Sequence, residues 1–233
     1  MKFKTAIIDP PWPYRKVNGD DNNLGGFAFH KDKKVHYELM TMDDLSALPV
    51  GNVVSGYLFM WVAKTFLQEG LDLFKAWGFE FKSYLIWHKM PGKGVGYWFR
   101  GDSEMVMVGV KTGLKIPSLR TNESDVLMTP LDEVLQEDTF IHRRIGHSTK
   151  PKLVHELIEK RRPLLRKIRL NPAGEEKEII TQTSFPGPYL EIFGREKEGE
   201  PSRPGWTVVG NEANGTRNED ILISLKNLIA KEG

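Results

Sequence analysis

Hydrophobic and polar positions follow two patterns along the chain, and together they predict short strands separated by helices. Apolar or β-branched runs bounded by turn residues predict strands over residues 2–9, 56–63, 79–89, 104–110, 125–128, 189–195 and 206–211. Apolar residues at helical spacing predict helices over residues 65–78, 150–162 and 218–231. Thr41, with Asp44 three residues later, predicts a further short helix that begins at a capping residue and stops at Pro49. This alternation is typical of an α/β fold with a mostly parallel sheet.

Residues 15–36 break both patterns. They combine Asn, Asp, Gly and Lys without periodicity, which predicts a long mobile loop directly after the first strand. Loops of this length usually have a function or are disordered.

Composition narrows the classes of protein and of site. The chain has 233 residues, a length that suits a single domain over residues 1–233. It has 33 Lys and Arg against 31 Asp and Glu, which gives a net charge of +2. Cysteine is absent, so disulfides, thiolate zinc sites and cysteine nucleophiles are excluded. The six histidines form no metal-binding spacing, and no metal is expected. No apolar run reaches membrane-spanning length, so we expect no membrane insertion and a cytoplasmic location.

The strongest chemical signal is Asp9-Pro10-Pro11-Trp12, at the end of the first predicted strand. An exocyclic amine on a nucleobase is a weak nucleophile, so a site that methylates it must orient the nitrogen and accept its protons. Asp9 can accept one N–H, and the rigid Pro10 carbonyl, with no competing amide donor, can accept the other. Trp12 would offer a face on which the base stacks. The alternative is a proline-rich turn with a buried tryptophan.

Only eight residues precede Asp9, so a nucleotide-binding strand must come later in the chain. The candidate is 189–195, which ends in Phe193-Gly194-Arg195. Ligands of doubly wound sheets lie at the carboxyl ends of strands where the strand order reverses. We therefore expect Asp9 and Gly194 to meet at one sheet edge.

These motifs resemble the DPPW amino-methyltransferases, the family typified by the catalytic subunit of the eukaryotic mRNA adenosine N6-methyltransferase, which also has bacterial and phage DNA-modifying members. The resemblance covers most of the chain and also rests on GYWFRGDSEMVMVGVK, HSTKP, YLEIFGR and WTVVGNE. It implies a Rossmann-like fold with helices on both faces of the sheet, S-adenosylmethionine as the donor, N6-methyladenine as the product, and the permuted motif order.

The resemblance also assigns roles to individual residues. Asp9 looks like the catalytic acid residue, Lys150 would pair with the donor's carboxylate, Arg195 would hold its ribose hydroxyls, and Asn211 would lie near its ribose and adenine. The residues expected to contact the donor are Asp9, Lys150, Phe193, Gly194, Arg195, Asn211 and Glu212. Glu212 stands where the eukaryotic enzymes place glutamine. Glu104, within the shared GYW-to-E block, is expected to line the acceptor pocket.

Two segments, residues 129–146 and 161–188, interrupt the shared blocks and concentrate positive charge. Such density on a nearly neutral protein suits a phosphate-binding strip, although a solvated charged face is the commoner explanation of such runs. The cations expected to contact nucleic acid are Arg143, Arg144, Arg161, Arg162, Arg166 and Lys167. With the loop 15–36, these segments are the expected target-recognition elements, which would clamp a duplex while the adenine swings out.

The sequence thus predicts methylation of adenine N6 in nucleic acid. DNA is favoured because the chain lacks the long N-terminal additions of the eukaryotic enzymes. RNA adenine methylation, cytosine N4 methylation and a non-catalytic nucleic-acid-binding partner are the alternatives. A homodimer or a heteromeric partner stays open.

Overall fold

The structure is a computed structural model, and it describes residues 2–13, 39–88, 99, 101–115, 124–128, 150–151, 153–159, 165–170, 176–181, 185–194, 203–210 and 220–230. For 165–170 and 176–181 the description covers the backbone.

The described residues form nine strands and five α-helices. The strands are β1 (Phe3–Ile8), β2 (Val54–Val62), β3 (Phe79–His88), β4 (Ser103–Lys111), β5 (Val126–Met128), β6 (Leu165–Leu170), β7 (Glu176–Thr181), β8 (Tyr189–Ile192) and β9 (Trp206–Val209). The helices are α1 (Met42–Ala47), α2 (Val50–Val53), α3 (Leu67–Ala76), α4 (Leu153–Glu159) and α5 (Ile221–Ala230), and a short 3₁₀ helix (Lys64–Phe66) precedes α3. No helix in these ranges is long and apolar enough to cross a membrane.

Seven strands form one sheet in the order β5-β3-β4-β2-β1-β8-β9. The pairs β1–β2, β1–β8, β8–β9 and β3–β5 are parallel, which confirms the mostly parallel sheet. Only β4 runs antiparallel, to both β2 and β3. No helix is predicted between β3 and β4, and consecutive strands without a crossover helix pair antiparallel.

The central strands are apolar on both sides, so each side of the sheet needs a cover. On one side, Ala6 and Ile8 of β1 pack in a cluster with buried residues of α1, α2, α3 and α5. On the other side, Ile7 packs with Val154 and Ile158 of α4. Helices on both faces are therefore confirmed, and the helices leave the strand ends as the edge where a site can form.

The predicted cap at Thr41 is confirmed, and further contacts fix the helix ends. Thr41 Oγ1 accepts the N–H of Asp44 at 3.1 Å, as a capping residue does. Gly78 follows α3 with φ of 73°, a left-handed conformation that glycine adopts without strain. Lys111 Nζ donates to the carbonyls of Trp77, at 3.0 Å, and Gly51, at 2.9 Å, which holds the end of α3 against β4. Burial, with a smaller effect of Lys2, lowers the pKa of Lys111.

The segment 161–188 contains structure that the sequence analysis did not predict. Strands β6 and β7 pair antiparallel as a separate two-stranded sheet, from Leu165 opposite Thr181 to Leu170 opposite Glu176. Three of the six residues of β6 are cations, and two of them, Arg166 and Lys167, are adjacent, so the sequence shows no strand period here.

Candidate active site

Three parallel strands end together at one edge of the sheet and position the motif that the sequence singled out. Asp9 follows β1 directly, and its backbone N–H donates to the carbonyl of Ile192, the last residue of β8, at 3.3 Å. Gly194 lies two residues further along the chain. The expectation that Asp9 and Gly194 meet at one edge is therefore confirmed, although Asp9 and Ile192 are 183 positions apart in the chain.

Lys150 joins this edge from the segment before α4. Its Nζ lies 2.7 Å from Oε2 of Glu104 and 3.7 Å from Oδ1 of Asp9, and 5.0 Å from the centre of the Trp61 ring. All three charged side chains are between 22% and 28% exposed. One ammonium thus lies between two carboxylates over an aromatic face, and these three groups together carry one net negative charge.

Trp12 does not fill the role expected of it. Its ring is 3% exposed, stacks on Phe66 at 5.2 Å with 13° between the planes, and donates from Nε1 to the carbonyl of Trp61 at 3.2 Å. A face covered by Phe66 cannot receive a base, so the prediction of stacking on Trp12 is wrong, and the alternative of a buried tryptophan describes the ring correctly. Trp12 anchors the motif to β2.

The prolines bend the chain, and their carbonyls are engaged. The N–H of Trp12 donates to the Pro10 carbonyl at 2.9 Å, so the expectation that no amide competes for this oxygen is wrong. Two residues apart, such a bond closes a tight turn. A carbonyl has two lone pairs, so the Pro10 oxygen keeps the capacity to accept a second hydrogen. The Pro11 carbonyl accepts the N–H of Met40 at 3.1 Å, which ties the return of the chain to the motif.

The end of β8 has a strained turn. Phe193 has φ of 62°, the left-handed region that side chains rarely adopt, and its N–H donates to the carbonyl of Val209 at 2.8 Å. A Cβ on Gly210 would lie 2.9 Å from the Gly194 carbonyl oxygen, so the two backbones cross where only glycine fits. Strain of this kind persists at functional sites when surrounding structure holds it, and the motif Phe193-Gly194 lies beside Asp9.

A network of ion pairs secures α4, the helix that follows Lys150. Arg203 donates to both carboxylate oxygens of Glu159, at 2.6 and 2.7 Å, and Trp206 Nε1 donates to the same carboxylate. His155 Nε2 lies 3.0 Å from Oε2 of Glu191 in β8. The hydrogen bonds from Arg203 hold the pKa of Glu159 below its ordinary value, and they raise the pKa of Arg203. The helix is thus fixed to β8, the strand beside β1, and to β9, the next strand of the sheet.

Most of the predicted donor contacts after β8 and most of the predicted nucleic-acid contacts lie outside the described residues. These are Arg195, Asn211, Glu212, Arg143, Arg144, Arg161 and Arg162, together with segment 129–146 and loop 15–36. Arg166 and Lys167 lie in β6, where the backbone alone is described. Within the described part of the chain, no group of three or more His, Asp and Glu residues could hold a metal ion.

The sequence analysis missed one partnership. Glu104 is expected near the acceptor and Lys150 at the donor, but neither their hydrogen bond nor the nearby Trp61 ring is predicted from the sequence. An ion pair between positions 46 residues apart leaves no local pattern. The signal that could have been used is a charged residue at the start of the apolar strand 104–110, because a carboxylate there needs a partner.

Comparison with known proteins matches the part of the chain that contains Asp9, Glu104 and Lys150. The profile of the MT-A70 family matches residues 3–172. The chain is 25% identical over 228 residues to the N(6)-adenosine-methyltransferase MT-A70-like protein of Drosophila melanogaster, covering 94% of this chain and 28% of the relative. It is 22% identical over 236 residues to the human N(6)-adenosine-methyltransferase catalytic subunit METTL3, covering 97% and 31%.

A third relative is shorter. The chain is 28% identical over 180 residues to the Type II methyltransferase M.MunI of a Mycoplasma species, covering 72% of this chain and 71% of the relative. The chain therefore spans less than a third of the length of the two adenosine-methyltransferase relatives and most of the length of this one.

Proposed function

We propose that this chain, which belongs to the MT-A70 family, transfers a methyl group from S-adenosylmethionine to the N6 amino group of adenine in nucleic acid. The observation that carries the proposal is the position of Asp9, at the end of β1, bonded through its backbone to β8 and paired with Lys150. A carboxylate held at the meeting point of these strands suits an acceptor amine on one side and a nucleoside donor on the other.

The described residues fit such a donor. S-adenosylmethionine carries a carboxylate, an ammonium and a sulfonium, so its site needs charges of both signs, and Lys150 with Asp9 and Glu104 provides them. The crossing of Gly194 and Gly210 leaves backbone without side chains at the strand ends, where a nucleoside can approach closely. When bound, the donor supplies an electrophilic methyl group. We assign Lys150 to its carboxylate and Phe193 and Gly194 to its nucleoside half. Arg195, Asn211 and Glu212 stay predicted contacts.

Asp9 and Pro10 orient the amine in this proposal. The lone pair of the adenine amine is delocalised into the ring, and hydrogen bonds from its two N–H groups to oxygen acceptors favour a geometry in which the lone pair is exposed. The Asp9 carboxylate accepts one N–H and the second lone pair of the Pro10 carbonyl accepts the other. The negative charge of Asp9 also stabilises the positive charge that develops on the nitrogen. Buried Trp12 keeps both oxygens in place by fixing the turn.

DNA is the preferred substrate within this proposal. The identity with the Type II methyltransferase is 28%, against 25% and 22% for the two adenosine-methyltransferase relatives, and the resemblance noted from the sequence includes DNA-modifying members. RNA adenine and cytosine N4 are the alternative acceptors, and a non-catalytic binding subunit is the alternative from another class. A single methyltransferase domain over residues 1–233, a cytoplasmic location, and a homodimer or heteromeric partner stay predictions.

One experiment tests the proposal. The protein is incubated with methyl-labelled S-adenosylmethionine and single- and double-stranded DNA and RNA, and the nucleic acid is then digested to nucleosides. The expected product is N6-methyldeoxyadenosine. N6-methyladenosine from RNA would identify RNA adenine as the acceptor, and N4-methyldeoxycytidine would identify cytosine. If no nucleoside is labelled and titration with the donor gives no calorimetric heat, the non-catalytic binding subunit is favoured. Asp72→Asn, a change at an exposed ion pair with Lys75, is the matched control for any change at Asp9.

A further inference from the structure

The hairpin of β6 and β7 separates charges that are neighbours in the sequence. Successive residues of a strand belong to opposite faces, and residues directly opposite each other in an antiparallel pair share a face. The register sets Lys167 opposite Ile179 and Arg169 opposite Lys177, so these positions share one face. Arg166, opposite Ile180, belongs to the other face.

The two faces therefore differ in charge. The face that contains Lys167 holds three cations and no acid, since its other positions are Leu165, Thr181 and Ile179. The face that contains Arg166 holds a single cation together with Glu176 and Glu178. The first, which we call the cationic face, carries a charge of +3 by register, and the second carries −1.

This arrangement is unfavourable for the hairpin alone. Arg169 and Lys177 are directly opposite each other, and like charges in directly opposite positions destabilise a strand pair. An isolated two-stranded hairpin is already marginally stable, and a polyanion bound along this face would reduce the repulsion between the two cations.

We propose that the cationic face, formed by the register positions of Lys167, Arg169 and Lys177, binds the sugar-phosphate chain of the nucleic-acid substrate. Lys167 and Arg169 are two residues apart, about 6.7 Å along the strand, and a two-stranded ribbon is narrow enough to enter the major groove of a duplex. In the chain, the hairpin lies between α4, which follows Lys150, and β8, which ends beside Asp9. The inference rests on the proposed function, and it divides the predicted basic strip: Lys167 belongs to the contact, whereas Arg166 does not.

The test compares cations that the register places on opposite faces of the hairpin. Affinity for a short adenine-containing DNA duplex is measured by fluorescence anisotropy at several salt concentrations for the wild type and for the triple variant Lys167→Gln, Arg169→Gln, Lys177→Gln. Each lost phosphate contact should lower the magnitude of the salt slope by about 0.9, so the triple variant should lose about two to three units and about tenfold or more in affinity. Arg166→Gln, one residue away, should stay within about twofold of the wild type.

A second control matches net charge. The triple variant Lys75→Gln, Lys82→Gln, Lys226→Gln removes three exposed cations from α3, β3 and α5, and it should bind the duplex like the wild type. Equal losses in this variant or in Arg166→Gln would overturn the inference, because net charge would then explain the binding. Unchanged affinity and slope in the hairpin triple would also overturn it. Should that triple unfold, as judged by circular dichroism, the pair Lys167→Gln and Arg166→Gln decides alone.

Failure of this inference and failure of the proposed function look different. A wild type that binds the duplex through the cationic face but transfers no methyl group to any nucleic acid would refute the function and keep the contact. A wild type that methylates DNA while the hairpin triple binds and methylates equally well would refute the contact alone.

Discussion

The ammonium of Lys150 and the carboxylate of Glu104 lie 2.7 Å apart, although Lys150 comes from the segment before α4 and Glu104 from β4, 46 positions earlier in the chain. This hydrogen bond holds the ammonium above the Trp61 ring and 3.7 Å from Asp9. Glu104 therefore sets the position of the cation that accompanies the proposed catalytic carboxylate.

Glu104→Gln should slow methyl transfer about 10- to 100-fold, because a hydrogen bond between charged groups contributes roughly 1.5 to 3 kcal/mol and about 1.4 kcal/mol corresponds to tenfold in rate. Glutamine keeps the shape and an acceptor oxygen but loses the charge that attracts Lys150. Initial rates with labelled donor measure the effect. Glu80→Gln, which breaks the exposed pair with Lys82, is the control and should keep the wild-type rate. A Glu104 variant as fast as this control would contradict the role of the pair.

Asp9→Ala should reduce turnover by about 10²- to 10³-fold, the magnitude found when one group that stabilises a developing charge is removed. Asp9→Asn should recover part of this loss, since its amide oxygen still accepts an N–H but without negative charge. The backbone N–H of residue 9, which donates to Ile192, is present in both variants, so the fold should survive and circular dichroism should be unchanged. Full activity in either variant would place the chemistry elsewhere.

Trp12 should act on stability rather than on base binding. Because the ring is buried and stacked on Phe66, Trp12→Ala should lower the free energy of unfolding by about 3 to 5 kcal/mol, the usual cost of removing a core aromatic side chain. Trp12→Phe keeps a ring but loses the hydrogen bond to the Trp61 carbonyl, so a loss of about 1 kcal/mol is expected. Urea unfolding measures both. Unchanged stability with weaker binding of single-stranded DNA would restore the stacking role.

The sequence predicted those features that have local causes or follow from a general rule of sheet topology. The position of Asp9 follows from an apolar run that ends in a carboxylate, the cap at Thr41 from a short pattern, and the meeting of Asp9 with the end of β8 from the rule that parallel strands share an edge. Antiparallel β4 could have been inferred in the same way, because no helix is predicted between it and β3.

What the sequence could not predict depends on contacts between distant positions. Whether Trp12 offers its face or buries it depends on Phe66, and the competing donor at the Pro10 carbonyl depends on the tightness of the turn. The left-handed φ of Phe193 is imposed by its bond to Val209, against the preference of a bulky residue. These positions follow tertiary context rather than propensity.

The pair of Glu159 and Arg203 should make stability depend on pH in acid. The pKa of Glu159 is lowered in the folded protein, chiefly by the hydrogen bonds from Arg203, so the unfolded state binds more protons as the pH falls. The stabilisation is therefore complete above the ordinary carboxyl value of 4.5 and is lost as the pH falls through the lower folded value. Because both side chains are partly exposed, we expect the pair to contribute less than about 1 kcal/mol to the free energy of unfolding.

Glu159→Gln should already be less stable than the wild type at pH 7, and it should lose less of its remaining stability on acidification. The control Asp72→Asn, at the exposed pair with Lys75, should follow the wild-type curve. Urea unfolding across this range measures the difference, and parallel curves for Glu159→Gln and the wild type would show that the pair adds no pH-dependent stability.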